Sequence, residues 1–219
     1  MEILEKALNF FFPQTCGICE KICDDAICNK CKKELDKIIF PSRKCFLELK
    51  GIYYDEHMHI FKYNGMIKEK IVKYKFKDRA YLSKFFAEII YSNKKVMKYI
   101  YSYDYIIPIP LSKIRKRLRG YNQTYLILKE LKKRDINIKL ETDILYKDQN
   151  IKPQSTLNEI ERKINIKNAY SVKNIEKIKN KKILLFDDVF TTGSTTNECS
   201  RLLKENGAKK VGVLTIAKD

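Results

Sequence analysis

The sequence predicts an α/β protein, a parallel sheet flanked by helices, with a small cysteine-rich module at its N-terminus. Three observations predict it. After about residue 50, apolar strand-like runs alternate with helix-like segments, which is the pattern of a sheet covered by helices. The run KILLFDD is continuously apolar before its two carboxylates, as expected for a strand buried on both faces. Six of the seven cysteines fall between Cys16 and Cys45, and this shift in composition divides the chain into residues 1–50 and 51–219.

The elements follow in order. MEILEKALNFFFP places Ile3, Leu4, Ala7, Leu8 and Phe11 on one face of a short amphipathic helix; it is too short and too acidic for a secretory signal. GIYYDEHMHIFKYN reads as strand or hairpin. Residues 66–92 read as one or two helices, with Ile67, Ile71, Val72, Leu82, Phe85, Phe86 and Ile89 at helical spacing. Tyr105 to Ile109 is a short buried strand ending at prolines, followed by a basic loop and then a helix, YNQTYLILKELKKR. INIKLETDILYKD reads as strand and turn, and the polar stretch 149–168 as a long loop. KKILLFDDV is a strand, TNECSRLLKENGA a helix closed by Gly207, and KKVGVLTIAK a last strand.

The chain is 219 residues long and carries a formal charge of +18. Only eight of its 45 basic residues are arginine, and the lysines are spread evenly, so the charge fits a solvated lysine surface as well as a polyanion partner. Its firm consequence is attraction of phosphate-bearing molecules. No apolar run approaches the ~20 residues of a membrane span. A cytoplasmic location without membrane insertion is expected.

The candidate site is KKILLFDDVFTTGSTT, residues 181–196. A parallel strand delivers its carboxyl end to the ligand crevice of such a sheet. The loop Thr191, Thr192, Gly193, Ser194 and Thr195 offers backbone N–H groups and hydroxyls, and Gly193 lets the backbone approach an anion. The following helix start adds unpaired N–H groups and the positive end of its dipole. Together they suit a phosphate monoester. A Walker loop is excluded because Gly-Lys-Ser/Thr is missing, and a dinucleotide fingerprint because the glycine spacing is wrong. Asp187 and Asp188 would repel phosphate, so they should face something else, and the 2′- and 3′-hydroxyls of a ribose are suitable partners.

LLFDDVFTTGST resembles the phosphoribosyl-pyrophosphate (PRPP) motif of type I phosphoribosyltransferases. The resemblance implies that Asp187 and Asp188 hold the ribose hydroxyls and that residues 191–195 hold the 5′-phosphate. Purine-salvage members carry an aspartate base at the first loop position, where this chain has Thr191. IIPIPLSKIRKRLRGYNQTYLI resembles the ComF family through Arg119, Gly120, Tyr121, Asn122 and Gln123. IKPQSTLNEIERKINIKNAY resembles that family's downstream loop through Lys152, Pro153, Gln154, Leu157, Arg162, Asn165 and Ala169. The implied fold is the type I phosphoribosyltransferase sheet with a zinc ribbon. The implied activity is transfer of a phosphoribosyl group from Mg²⁺-bound PRPP, and the implied association is with competence and DNA uptake.

Pyrophosphate leaving C1 needs cations, and Lys113, Arg115, Lys116, Arg117 and Arg119 are candidates, arginine favouring bidentate contact. Arg117, Arg119 and Arg162 are the catalytic candidates, with Arg162 and Lys163 able to close as a lid. The basic loop equally suits a nucleic-acid backbone. The partners to weigh are therefore PRPP or a ribose 5-phosphate nucleotide, single-stranded DNA, and proteins of the DNA-uptake machinery. The functions to weigh are a transferase, a nucleic-acid-associated protein and a non-catalytic sensor.

Cys16-Gly17-Ile18-Cys19 and Cys28-Asn29-Lys30-Cys31 are two Cys-x-x-Cys pairs eight residues apart. Four thiolates at this spacing make a closed tetrahedral zinc site, which is favoured over disulfides or a redox pair. Cys23 is spare. Relatives often carry a further pair downstream, but here Cys45 stands with Glu48, so one zinc site is expected. Cys199 reads as a small buried residue. His57 and His59 share a strand face and read as surface or partly packed. Tyr53, Tyr54, Phe61 and Tyr63 are candidates for stacking an acceptor base, although such aromatics are more often core.

Overall fold

The computed structural model describes residues 13–45, 51–77, 79–147 and 169–219. The expected N-terminal amphipathic helix and the long loop 149–168, with Arg162 and Lys163, lie outside the described residues. The elements are α1 (Asn29–Asp36), β1 (Ser42–Cys45), β2 (Glu56–Lys62), α2 (Gly65–Phe76), α3 (Leu82–Ser92), α4 (Lys94–Tyr101), β3 (Tyr105–Pro108), α5 (Lys113–Arg119), α6 (Gln123–Arg134), β4 (Leu145–Lys147), β5 (Tyr170–Val172), β6 (Lys182–Phe190), α7 (Ser194–Glu205) and β7 (Lys210–Lys218).

The main sheet has the order β1-β2-β7-β6-β3. β2, β7, β6 and β3 are mutually parallel, and β1 adds antiparallel to β2. β6 and β7 are central, which is why both are apolar almost throughout. Side chains alternate between two cores. Leu184 and Phe186 pack with α2, α3, α4 and α6 on one face. Ile183 and Leu185 pack with Cys199 and Leu203 of α7 and with Tyr170 of β5 on the other. The alternating strands and helices of the sequence therefore produce the expected parallel sheet, and Cys199 is fully buried as read.

Three differences from the sequence reading have physical causes. α4 follows α3 directly, because Asn93 ends one helix and its side chain accepts the Lys95 and Val96 N–H groups to start the next. SRKC is polar and becomes strand β1 only through its pairing with β2. The segment read as a basic loop is the helix α5. The Ser112 side chain caps its N-terminus and Gly120, at φ 75, turns the chain out of its end. None of its residues is buried, so no apolar stripe marked it as a helix.

Candidate functional site

β3 and β6 are neighbours, with Pro108 opposite Phe186. The residues at and beyond their carboxyl ends, Ile109–Arg115 and Asp187–Gly193, therefore lie side by side, where ligands enter such sheets. Between them lies a cavity of about 250 Å³ whose lining includes Asp187, Asp188, Thr191 and Thr195 together with Arg115, Arg119 and Lys75. A second cavity of about 430 Å³ shares Lys75, Arg115 and Arg119 and adds Phe76 and Leu118. A hollow of about 50 Å³ is enclosed by Asp187 and residues 189–196.

The hollow is the phosphate-sized part. Gly193 has φ 73 and sits at the start of α7, where it offers no capping side chain to the first amides. A Cβ at this position would run into the Phe190 ring. Around it, Thr192 and Ser194 are joined by a hydroxyl hydrogen bond of 2.9 Å, and the Thr196 hydroxyl donates to the Gly193 carbonyl at 2.8 Å. Phe190 is held from behind by His57, whose ring stacks on it at 4.2 Å. His57 is buried and bonded to the Thr215 hydroxyl at 2.9 Å. Burial, with His59 and Lys218 nearby, pushes its imidazole down to about 3, so it is neutral at ordinary pH.

The two carboxylates have different surroundings. Asp188 forms an ion pair with Lys75 of α2 at 2.7 Å. Asp187 accepts the Asp188 N–H at 2.9 Å. Burial and the neighbouring Asp188 charge push the Asp187 carboxyl up to about 7, against the opposing pull of Lys75. An acid held this way gains from any ligand or cation that stabilises its ionised form.

The structure brings Arg115 and Arg119 to the cavity with Asp187, Asp188, Thr191 and Thr195. Arg119 also lies over the Phe76 ring at 4.9 Å. Lys113, Lys116 and Arg117 are on α5 but exposed, and they line none of these cavities. Of the stacking candidates, Tyr54 and Phe61 are core, Tyr53 is exposed and Tyr63 lines the cavity. Four further cavity residues escaped the sequence reading as site residues. Lys75 had no distinguishing context. Lys147 and Tyr170 meet across the β4–β5 pair, with Nζ and hydroxyl 2.9 Å apart, and both line the cavity with Thr195. Burial, helped by Arg115, lowers the Lys147 ammonium. Gln123, placed by the Asn122 cap of α6, is buried and its Nε2 has no partner among the described residues. Its place in the RGYNQ stretch was the available signal.

At the other end of the chain, the sulfur atoms of Cys16, Cys19, Cys28 and Cys31 all lie within 4.8 Å of one another. The Cys19 and Cys28 sulfurs are 3.9 Å apart, close to the ~3.8 Å edge of a tetrahedron with ~2.3 Å zinc–sulfur bonds. Burial opposes ionisation of Cys16, but the backbone N–H groups of Cys28, Cys19 and Ile18 outweigh it and hold the thiol at about 6. Burial and the neighbouring thiols push Cys31 up to about 12. The four residues fit a metal ion such as zinc. Cys23 donates instead to the Asp25 carbonyl, and Cys45 lies on β1, so both stand outside the cluster.

Residues 126–219 match the family model described as a phosphoribosyl transferase domain. The chain is 28% identical over 229 residues to competence protein F of Haemophilus influenzae, covering 95% of this chain and 98% of that one. It is 33% identical over 162 residues to competence protein ComFC of Streptococcus pneumoniae, covering 74% of this chain and 68% of that one. It is 33% identical over 110 residues to the DNA utilization protein YhgH of Escherichia coli K12, covering 50% and 47%. Shared identity of this extent, running through both the cysteine module and the sheet, places the chain in the ComF family of competence proteins, with a phosphoribosyltransferase domain.

Proposed function

We propose that this protein binds Mg²⁺-bound PRPP and transfers its phosphoribosyl group to a nitrogen nucleophile. One observation carries the reading: an acidic pair and several cationic side chains line one cavity, and the open glycine loop lines a hollow that shares Asp187, Val189, Thr191 and Thr195 with it. A phosphate alone would want no carboxylates there, and a metal-bound ribose phosphate wants both.

In this reading Thr191, Thr192, Gly193, Ser194 and Thr195 hold the 5′-phosphate, with the N–H groups at the start of α7 supporting its charge. Asp187 and Asp188 accept the ribose hydroxyls. Arg115, Arg119 and Lys147 face the pyrophosphate and favour its departure by stabilising the charge that develops. Lys113 adds attraction at longer range. Arg117 and Arg162 remain candidates for contacts made as the ligand is enclosed. Asp187 and Asp188 would also hold a magnesium ion, which would supply charge neutralisation to the bound ligand. The acceptor would meet Tyr63 and Gln123, which line the same cavity.

The cysteine cluster is read as a structural zinc site of a module spanning about residues 1–50, ahead of a transferase domain at 51–219. The relatives' names, competence and DNA utilization proteins, support a role in handling incoming DNA, and the reading places that role in the cytoplasm alongside proteins of the DNA-uptake machinery. Helix α5 favours single-stranded DNA as a second ligand, since its five cations, Ile114 and Leu118 include no buried residue. A PRPP sensor would use the same pocket without turnover.

The test is a melting curve with and without Mg²⁺ and PRPP, for the native protein and for Asp187→Ala combined with Asp188→Ala. A ligand-dependent rise in Tm confined to the native protein supports the reading. No rise in the native protein overturns it. A rise without pyrophosphate release in the presence of purine and pyrimidine acceptors would favour sensing.

A further inference from the structure

The cysteine module is docked onto the helix that supplies Lys75. Lys70 of α2 is buried, and its ammonium donates at 2.8 Å to the carbonyl of Ile18, inside the first Cys-x-x-Cys turn. It also pairs with Glu20 at 3.5 Å, as does Lys73 at 3.6 Å. Gly17 of the same turn lies against Phe85 of α3, and a Cβ there would be 2.6 Å from the ring. One helical turn beyond Lys70, the Tyr74 hydroxyl donates to the Gln123 carbonyl at 2.9 Å, and the Tyr121 hydroxyl donates to the Tyr74 carbonyl. The next residue is Lys75, paired with Asp188. A single helix of 12 residues therefore touches the metal-type turn at its middle and the acidic pair at its end.

We propose that Lys70 is a positioning residue that couples the cysteine module to the pocket: it fixes α2 on the Cys16–Cys19 turn, and α2 in turn sets Lys75 on Asp188. The physical reason is the cost of a buried ammonium without an acceptor. The Ile18 carbonyl is in place only while the turn is folded, and four thiolates without a cation repel one another. When the turn loosens, Lys70 must find another partner or move α2 with it. Lys75 then leaves the acidic pair, and a cation is lost from the wall that faces an anionic ligand. Coupling of this kind is reciprocal, so a ligand that needs Lys75 in place must tighten metal binding by the factor by which metal tightens the ligand.

This inference rests on the reading of the pocket as a ribose-phosphate site, and the experiment separates the two. Zinc affinity of the full chain is measured by competition with a chromogenic chelator, with and without saturating ribose 5-phosphate, in the absence of magnesium so that the chelator reports zinc alone. Ribose 5-phosphate binding is measured separately on the zinc-loaded protein by calorimetry. The proposal expects ribose 5-phosphate to tighten zinc about fivefold or more, in the range typical of coupled sites. Lys70→Met should still bind zinc but show no ligand-dependent change. Ligand binding with unaltered zinc affinity in the native protein overturns the coupling and leaves the pocket reading intact. So does an undiminished effect in Lys70→Met. Failure of ribose 5-phosphate to bind overturns both. The native measurement decides the matter even if the variant does not fold. A purely structural Lys70 would lower Tm without linking the two affinities.

Discussion

The two walls of the cavity are built differently. The wall from β6 and α7 is assembled before any ligand arrives. Phe190 is clamped between Gly193 and a neutral His57, the loop hydroxyls bond one another, and Asp188 already has its cation. The wall from β3 and α5 is the opposite. α5 buries nothing, and of the cations it carries only Arg115 and Arg119 reach the cavity. A rigid wall can read shape, which under the proposed function would be a phosphate beside two hydroxyls. An open cationic wall reads charge, which under the same proposal would be that of the departing pyrophosphate. The comparison teaches that the two proposed roles can be tested separately by mutation.

The largest effect is expected on the rigid wall. Asp187→Ala with Asp188→Ala should weaken Mg²⁺-PRPP binding by about 100-fold or more, at roughly 1.4 kcal/mol per tenfold for each lost pair of contacts. Calorimetry would show it, and a loss below tenfold would remove the acidic pair from the site. Gly193→Ala comes next. It places a side chain at φ 73 and against Phe190, so ribose 5-phosphate binding should fall about tenfold, with a drop in Tm. Unchanged affinity would mean that the loop does not hold the phosphate. On the open wall, Arg115→Ala or Arg119→Ala should cost PRPP binding about tenfold while altering ribose 5-phosphate binding by about twofold or less. Equal losses for both ligands would erase the distinction between the walls.

The smallest effect is that of pH. Asp187 is held at about 7, above its unfolded value of 3.8, so its protonation favours the folded free protein. That contribution is fully present below pH 3.8 and disappears as pH rises through 7. Ligand binding favours the carboxylate and so releases a proton near neutrality. Asp187→Asn should raise the Tm of the free protein at pH 8 more than at pH 5, with a shift of about 2–4 °C per kcal/mol for a chain of this size. A shift that is the same at both pH values would contradict the assigned surroundings of Asp187.

Much of this was legible in the sequence, and the rest was not for physical reasons. The apolar run before Asp187, the glycine of the loop and the spacing of the four cysteines are local patterns, and each predicted its structure. Lys75 was not legible, because one lysine among many becomes a site residue only through where α2 docks. Lys147 and Tyr170 are 23 residues apart and meet through pairing of β4 with β5. His57 was read as surface or partly packed and is buried, because its partner Thr215 lies on β7, which the sequence does not place beside it. α5 depends on its caps, Ser112 and Gly120, rather than on an apolar face.

The central claim is that an acidic pair beside a phosphate loop grips ribose hydroxyls. Calorimetric titration of the native protein with ribose 5-phosphate and with 2-deoxyribose 5-phosphate tests it most directly, since the two differ by the one hydroxyl in question. The account predicts that the deoxy sugar binds about tenfold more weakly, the loss expected when a charged acceptor is left without its donor. Equal affinities would contradict it and leave a phosphate site with no part for Asp187 and Asp188 in reading the sugar.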